Sequence, residues 1–238
     1  MICVEETIAV PSAGEKTPQP SRQVPRQSAP SSGGTLLDHA VRYAGERHWD
    51  VLPGTWLEIV DGVPRCTCGV PDCPSPGAHP REPGWAAHAT GSGTAARRLW
   101  ERSPFASVLL PTGRTFDAVD VPEVAGCLAL ARMERMDVPL GPVTCTPQGR
   151  MVFFVLPGAA AKAPDLIRGL GWSPGALDLT THSVGSWVAA PPTRIGVRGS
   201  VQWVRRPTPV NRWLPDADEL LPQLAYCCGQ EAAAARRR

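Results

Sequence analysis

Near the middle of the sequence, Arg114-Thr115-Phe116-Asp117-Ala118-Val119-Asp120-Val121-Pro122 sets two carboxylates inside an apolar run that a proline then stops. Phe116, Val119 and Val121 call for burial, so the run reads as a short buried strand that delivers Asp120 at its exit. A carboxylate in such a place is costly unless something pairs with it. Any fold for this chain must therefore give Asp120 a partner, and the nature of that partner decides the chemistry. Segments 143–146, 151–156, 176–179 and 186–190 have the composition of strands able to join the same sheet.

Around this centre the 238 residues leave room for a full core. Residues 1–34, rich in Pro, Ser, Gln and Gly, read as a disordered tail, and residues 35–228 as one compact unit. Residues 229–238 read as a flexible basic tail. The net charge of +2 excludes a global field strong enough for tight, unspecific nucleic-acid binding. The basic side chains are nearly all arginine, with lysine only at Lys16 and Lys162. The opening residues carry acids where a secretory signal has bases, and no apolar run reaches the roughly 20 residues that span a bilayer, so no membrane is implied and a cytoplasmic protein is expected. In that compartment the eight cysteines should be reduced, and a tight cysteine cluster means metal before disulfide.

Such a cluster exists. Between Arg65 and Pro80, Cys66, Cys68, Cys73 and His79 are separated by Gly and Pro residues that favour turns. Three thiolates and one imidazole match a closed tetrahedral zinc site, structural rather than catalytic because no position is left open for water. The zinc loop is placed at 64–80, with His88 the nearest substitute should His79 not ligate.

Helices are expected from Thr35, an N-cap, through Ala44; over 94–103; from Glu123 to about Met136 with Val124, Cys127, Leu128, Ala131 and Met136 inward; over 162–170; and from Ala217 to about Cys228. Cys127, Cys145, Cys227 and Cys228 read as small core residues. Thr146-Pro147-Gln148-Gly149 is a tight turn between strands, and Ala176-Leu177-Asp178-Leu179 offers a second isolated acid in an apolar run.

In this order the motifs resemble the bifunctional DNA primase/polymerase N-terminal domain of the archaeo-eukaryotic primase superfamily, in particular its stand-alone actinobacterial type. The residues that carry the resemblance run from about Leu36 to Trp203: Val51-Leu52-Pro53, the loop from Cys66-Thr67-Cys68 to His79-Pro80, Val119-Asp120-Val121, Thr146-Pro147-Gln148-Gly149, Leu177-Asp178-Leu179 and Val188-Ala189-Ala190-Pro191-Pro192. The resemblance implies an α+β fold, with a small N-terminal αβ unit packed on a mixed sheet like that of RNA-recognition motifs. It also implies an active site in the cleft between them. Active members hold two Mg2+ or Mn2+ ions on two acids one residue apart and a third acid on a later strand, and hold nucleotide phosphates with a histidine just after the Thr-Pro turn. Two ions that bridge attacking and leaving oxygens need such clustered carboxylates.

This sequence keeps part of that set. Asp120 matches the first acid and Asp178 the third. Pro122, which cannot ligate, stands where the second belongs, and Arg150, Met151 and Val152 occupy the positions of the histidine. Asp117 is three residues from Asp120, so on a regular strand the two point to opposite faces. Arg150 and Arg194 are candidates for nucleotide phosphates. Three readings stay open: a primase/polymerase-like domain without template-directed synthesis that keeps a nucleotide or DNA cleft; a nucleotidyltransferase on a reduced metal site; and a structural or regulatory module. Converging, open aspartates favour the enzyme; aspartates capped by arginines such as Arg150 and Arg194 favour a scaffold. A nucleic-acid groove is sought among Arg97, Arg98, Arg102, Arg114, Arg150, Arg194 and Arg198, with Trp100 and Trp187 read as core. With no Gly-rich Lys-Ser/Thr loop of a helicase, any role in DNA replication needs other proteins and an unidentified partner.

Overall fold

A computed structural model describes residues 35–209 and 211–236; the tail expected over 1–34 lies outside the described residues. Chain order begins with helix α1 (Leu36–Arg47), whose N-cap Thr35 and third residue Asp38 form the reciprocal pair of a capping box. Strand β1 (Leu52–Pro53), a hairpin of β2 (Leu57–Val60) and β3 (Val63–Cys66), helix α2 (Gly93–Arg102) and strand β4 (Val108–Pro111) follow. Then come β5 (Asp117–Pro122), α3 (Glu123–Arg135), β6 (Val143–Thr146), β7 (Arg150–Val155), α4 (Ala159–Gly169), β8 (Thr180–His182), β9 (Trp187–Ala189), β10 (Gln202–Arg205) and α5 (Ala217–Ala235).

The large sheet has the order β10-β6-β7-β5-β8. Within it, β5-α3-β6-β7-α4-β8 makes a βαββαβ unit. Every pairing in it is antiparallel, so the sheet is not the mixed one expected. The strand at 186–190 is also placed differently: β9 pairs with β4 in a separate three-stranded sheet, β1-β4-β9. Each crossing of the β5 period sends alternate residues to opposite faces. Val119 and Val121 join Met151, Phe153 and Val155 under α3, α4 and α5. Ala118, Val152 and Phe154 join Phe116, Trp49, Trp100 and Leu110 on the side of α1 and the small sheet. There the Phe116 and Phe154 rings stack with centroids 4.7 Å apart and Trp49 stacks on Phe154 at 5.2 Å.

Helix α3 is rotated from its expected phase. Ala125, Gly126, Ala129, Leu130 and Met133 are buried, while Val124, Cys127, Leu128 and Met136 are exposed. The reason is close approach: a Cβ on Gly126 would stand 2.7 Å from the Met151 Cβ, so the helix lies against β7 on its smallest residues. Cys145 is only half-buried, whereas Cys227 and Cys228 are core as expected. Helix α5 runs to Ala235, so residues 229–235 are helical and not the flexible tail expected. A run of alanines has high helix propensity, and Gly229 seats that turn directly on the Trp172 ring.

Candidate functional site: an arginine-bridged acid pair and a cysteine-rich loop

The exit of β5 does deliver Asp120. Its neighbours across the sheet are set by register: Asp120 is opposite Val152 and Thr180, and Pro122 is opposite Arg150. Asp120, Arg150, Thr180 and His182 therefore share one face. Arg150 arrives there through the turn after β6. Gly149 adopts φ +76°, a left-handed conformation that suits glycine, its N–H donates to the Thr146 carbonyl at 3.1 Å, and the Arg150 N–H donates to Thr146 Oγ1 at 3.3 Å.

The guanidinium then bridges both acids. Arg150 Nε donates to Asp120 Oδ1 at 2.6 Å, and Nη1 donates to Asp178 Oδ1 and Oδ2 at 2.8 Å each. The remaining oxygen, Asp120 Oδ2, faces His182 Nε2 at 3.4 Å, and the other ring nitrogen of His182 is 3.0 Å from Ser186 Oγ. All four carboxylate oxygens thus have a protein partner. Burial alone would lower the pKa of Arg150, but the hydrogen bonds it donates to Asp178 and Asp120 outweigh it and raise the value above that of free arginine. Arg150 is a fixed cation.

Asp178 does not sit on a strand as expected. Pro174–Ala176 forms a single 3-10 turn and β8 starts at Thr180, because Pro174 and Gly175 break the run before it can pair. His182 is the participant that the sequence reading missed. Its signal was the alternation of Thr180 and His182, which places two polar residues on one face of a short strand.

The other acid of the strand behaves as alternation requires. Asp117 is fully buried on the opposite face, where Oδ2 accepts the N–H groups of Gly158 and Ala159 at 2.9 Å each and so caps α4. It is a structural carboxylate, out of reach of Asp120. Arg194 also stands apart from the Arg150 cluster. Its exposed side chain lines a cleft of about 340 Å³ with Leu36, Trp56, Leu57 and Phe105, beside the cysteine loop. Arg114 instead pairs with Asp50. Trp100 is core, while Trp187 is half-buried and packs edge-on to Trp85 at 5.6 Å.

Cys66, at the end of β3, gathers the second candidate. The donor atoms of Cys66, Cys68, Cys73 and His79 all lie within 4.8 Å of one another, with Cys66 Sγ 3.4 Å from His79 Nε2. A tetrahedral ion bound at about 2.3 Å by sulfur needs donors roughly 3.8 Å apart, which this set meets with small rotations. His79 Nδ1–H donates to the Pro80 carbonyl at 2.7 Å, an acceptor that fixes the tautomer and leaves the Nε2 lone pair facing the sulfurs. Burial pushes the Cys66 thiol up, but N–H groups from Cys68 and Gly77 and the Thr55 hydroxyl more than offset it, down to about 6. The four residues can hold a metal ion.

Comparison with known proteins agrees with this architecture. A family model described as bifunctional DNA primase/polymerase, N-terminal, matches residues 40–216. No curated protein matches the sequence. The match takes in both candidate sites and every strand of the two main sheets.

Proposed function

Since the chain belongs to the bifunctional DNA primase/polymerase N-terminal family, we propose that it is a member in which template-directed synthesis has been given up and nucleotide or nucleic-acid binding is what remains. The observation that supports the loss of synthesis is Arg150. Its guanidinium occupies the space between Asp120 and Asp178, at 2.6 and 2.8 Å, where an active member would need divalent cations. One guanidinium carries a single positive charge and no open coordination position. It cannot bridge attacking and leaving oxygens by coordination or generate a metal-bound nucleophile.

Two divalent cations do not fit the residues present. Pro122 offers no ligand, and both carboxylates are already consumed by Arg150 and His182. Asp120 and Asp178, candidates for catalysis by position, act in this proposal as the anionic seat of Arg150. Arg150 in turn holds β5, β7 and the segment before β8 in register. Arg194, free of ion pairs among the described residues, remains the proposed phosphate contact at the cleft beside the cysteine loop.

For the loop we propose structural zinc on Cys66, Cys68, Cys73 and His79. Three thiolates and an imidazole are the donor set that zinc prefers, and a closed set supplies folding energy rather than chemistry. The reading of a functional nucleotidyltransferase has a direct test. Primer extension with Mg2+ or Mn2+ is expected to yield no product from the wild type, and incorporation that disappears in Asp120→Ala would overturn the proposal.

A further inference from the structure

Helix α3 turns to solvent a face that a surface helix normally covers with charge. Val124, Cys127, Leu128 and Ala131 are all exposed, Val124 to 60% and Leu128 to 55%. Val124, Leu128, Ala131 and Arg135 recur at intervals of four, three and four residues, the spacing of a seam that packs against another helix. The opposite face is already used, since Ala125, Gly126, Ala129 and Met133 seat α3 on the sheet. The outward stripe is therefore a second apolar face with nothing of its own chain to cover it.

Both flanks of the stripe are tied down. Arg132 Nε donates to Gln223 Oε1 of α5 at 2.6 Å, and its guanidinium lies over the Tyr226 ring at 5.0 Å. Toward β10, Glu134 pairs with Arg205 at 3.9 Å. The Glu123 N–H donates to the Gly149 carbonyl at 2.9 Å and fixes the start of the helix. The charges at the two ends are different. Neither Glu123, the first residue of α3, nor Arg135, the last, has an ion-pair partner among the described residues. The stripe thus runs from an unpaired acid to an unpaired base.

We propose that this face is a self-association surface, on which two copies of the chain pack α3 against α3, antiparallel about a two-fold axis. A face whose two ends carry opposite charge is its own complement under such an axis, because the acid of each copy meets the base of the other. The spacing sets Leu128 of each copy over Ala131 of the other, a large side chain on a small one. It also lays the Arg135 stem along Val124 of the other copy, with the guanidinium reaching Glu123. A lipid surface or an acidic peptide would use the basic end and leave Glu123 unmatched. Two strips about 20 Å long and 10 Å wide meet in this way, a contact of about 1,000 Å² at the small end of specific interfaces. Its dissociation constant is accordingly on the order of 10–100 μM. The proposal does not depend on that for Arg150, since no residue of either candidate site takes part.

The test is sedimentation equilibrium of the full chain, with a reducing agent present, at concentrations from about 2 to 300 μM. The mass is expected to rise from one chain toward two. Leu128→Asp is expected to weaken the dimer roughly 100-fold, because the two-fold axis removes the contact twice and buries a charge in its place. Glu123→Arg and Arg135→Glu should each weaken it about 5-fold, and the double variant should recover the wild-type affinity. All three side chains are exposed, so each variant should stay folded, which its melting temperature at low concentration checks. A wild type that stays a single chain throughout overturns the surface. So does a dimer that Leu128→Asp leaves intact, because the copies then meet elsewhere. Charge reversals that the double variant does not rescue overturn the antiparallel pairing. A dimer that a chelator dissolves in wild type and Leu128→Asp alike also overturns it, since the cysteine loop would then hold the copies together.

Discussion

Replacing Arg150 with methionine keeps an unbranched apolar stem and removes the guanidinium with its charge, which isolates what that group does. Asp120 loses a 2.6 Å charged hydrogen bond at a site where its side chain is 19% exposed, and Asp178 loses two bonds at 65% exposure. Breaking a fully buried pair costs about 3–5 kcal/mol because one charge is left uncompensated. Partial exposure reduces that to about 2–3 kcal/mol for Asp120, and the solvated Asp178 contact adds at most about 1 kcal/mol. For a chain of this size, the loss corresponds to a fall in Tm of roughly 5–10 °C. Urea denaturation and thermal melting, followed by circular dichroism, measure it. The double variant Arg150→Met with Asp120→Asn is expected to recover most of the loss, since neutralising the stranded acid removes the penalty. The vacated set of Asp120, Asp178 and His182 should also become a cation site, so millimolar Mn2+ should raise the Tm of Arg150→Met and leave the wild type unchanged. Equal stability of wild type and Arg150→Met, or the same Mn2+ response in both, would refute the idea that this arginine stands in for the ions.

Three other outcomes follow from the same structure. Stripping the metal with a chelator should loosen 64–80, seen as faster amide exchange there, and lower the Tm, with one zinc per chain found by metal analysis of protein purified without chelator; a chain free of zinc and indifferent to chelator would end that proposal. Asp117→Ala should cost about 2–4 kcal/mol in urea denaturation, because two N–H groups at the start of α4 lose a buried charged acceptor; a cost under about 0.5 kcal/mol would show the cap to be idle. At high pH the chain should lose stability: burial raises Tyr43 to about 12, and burial with Asp178 and Glu231 beside it raises Cys228 to about 12. Both groups favour their protonated form in the folded state, so the stability is intact below their unfolded values near 9–10 and is lost as pH rises toward 12, by a few kcal/mol in all. A melting temperature flat from pH 9 to 11.5 would contradict this, and Cys228→Ala should soften the first part of the fall.

Alternation and turn chemistry made much of this fold legible. The apolar run around Asp120, the turn ending in Gly149 and the N-cap at Thr35 each contain their own physical reason, and each stands where the sequence places it. The cysteine loop was legible for the same reason, since metal ligands within 14 residues report on one another directly. Helix α3 was not. Its inward face is decided by how near it lies to Met151, and that distance belongs to the packing and not to the period of the hydrophobic residues. Nor was the destination of β9, because a strand's composition does not state which sheet it joins. His182 escaped notice because its role is created by Asp120 sixty-two residues away, through the β5–β8 register. The bridging by Arg150 was anticipated as one of two outcomes, and only the geometry could choose between them.

A calorimetric titration of Mn2+ together with a nonhydrolysable nucleoside triphosphate, wild type beside Arg150→Met, tests most directly whether one guanidinium has taken the place of the cations. The wild type is expected to bind no manganese at the acid pair, with or without nucleotide, so that Asp178→Ala leaves its isotherm unchanged. Two manganese ions per wild-type chain, bound only alongside the triphosphate and lost in Asp178→Ala, would contradict the account.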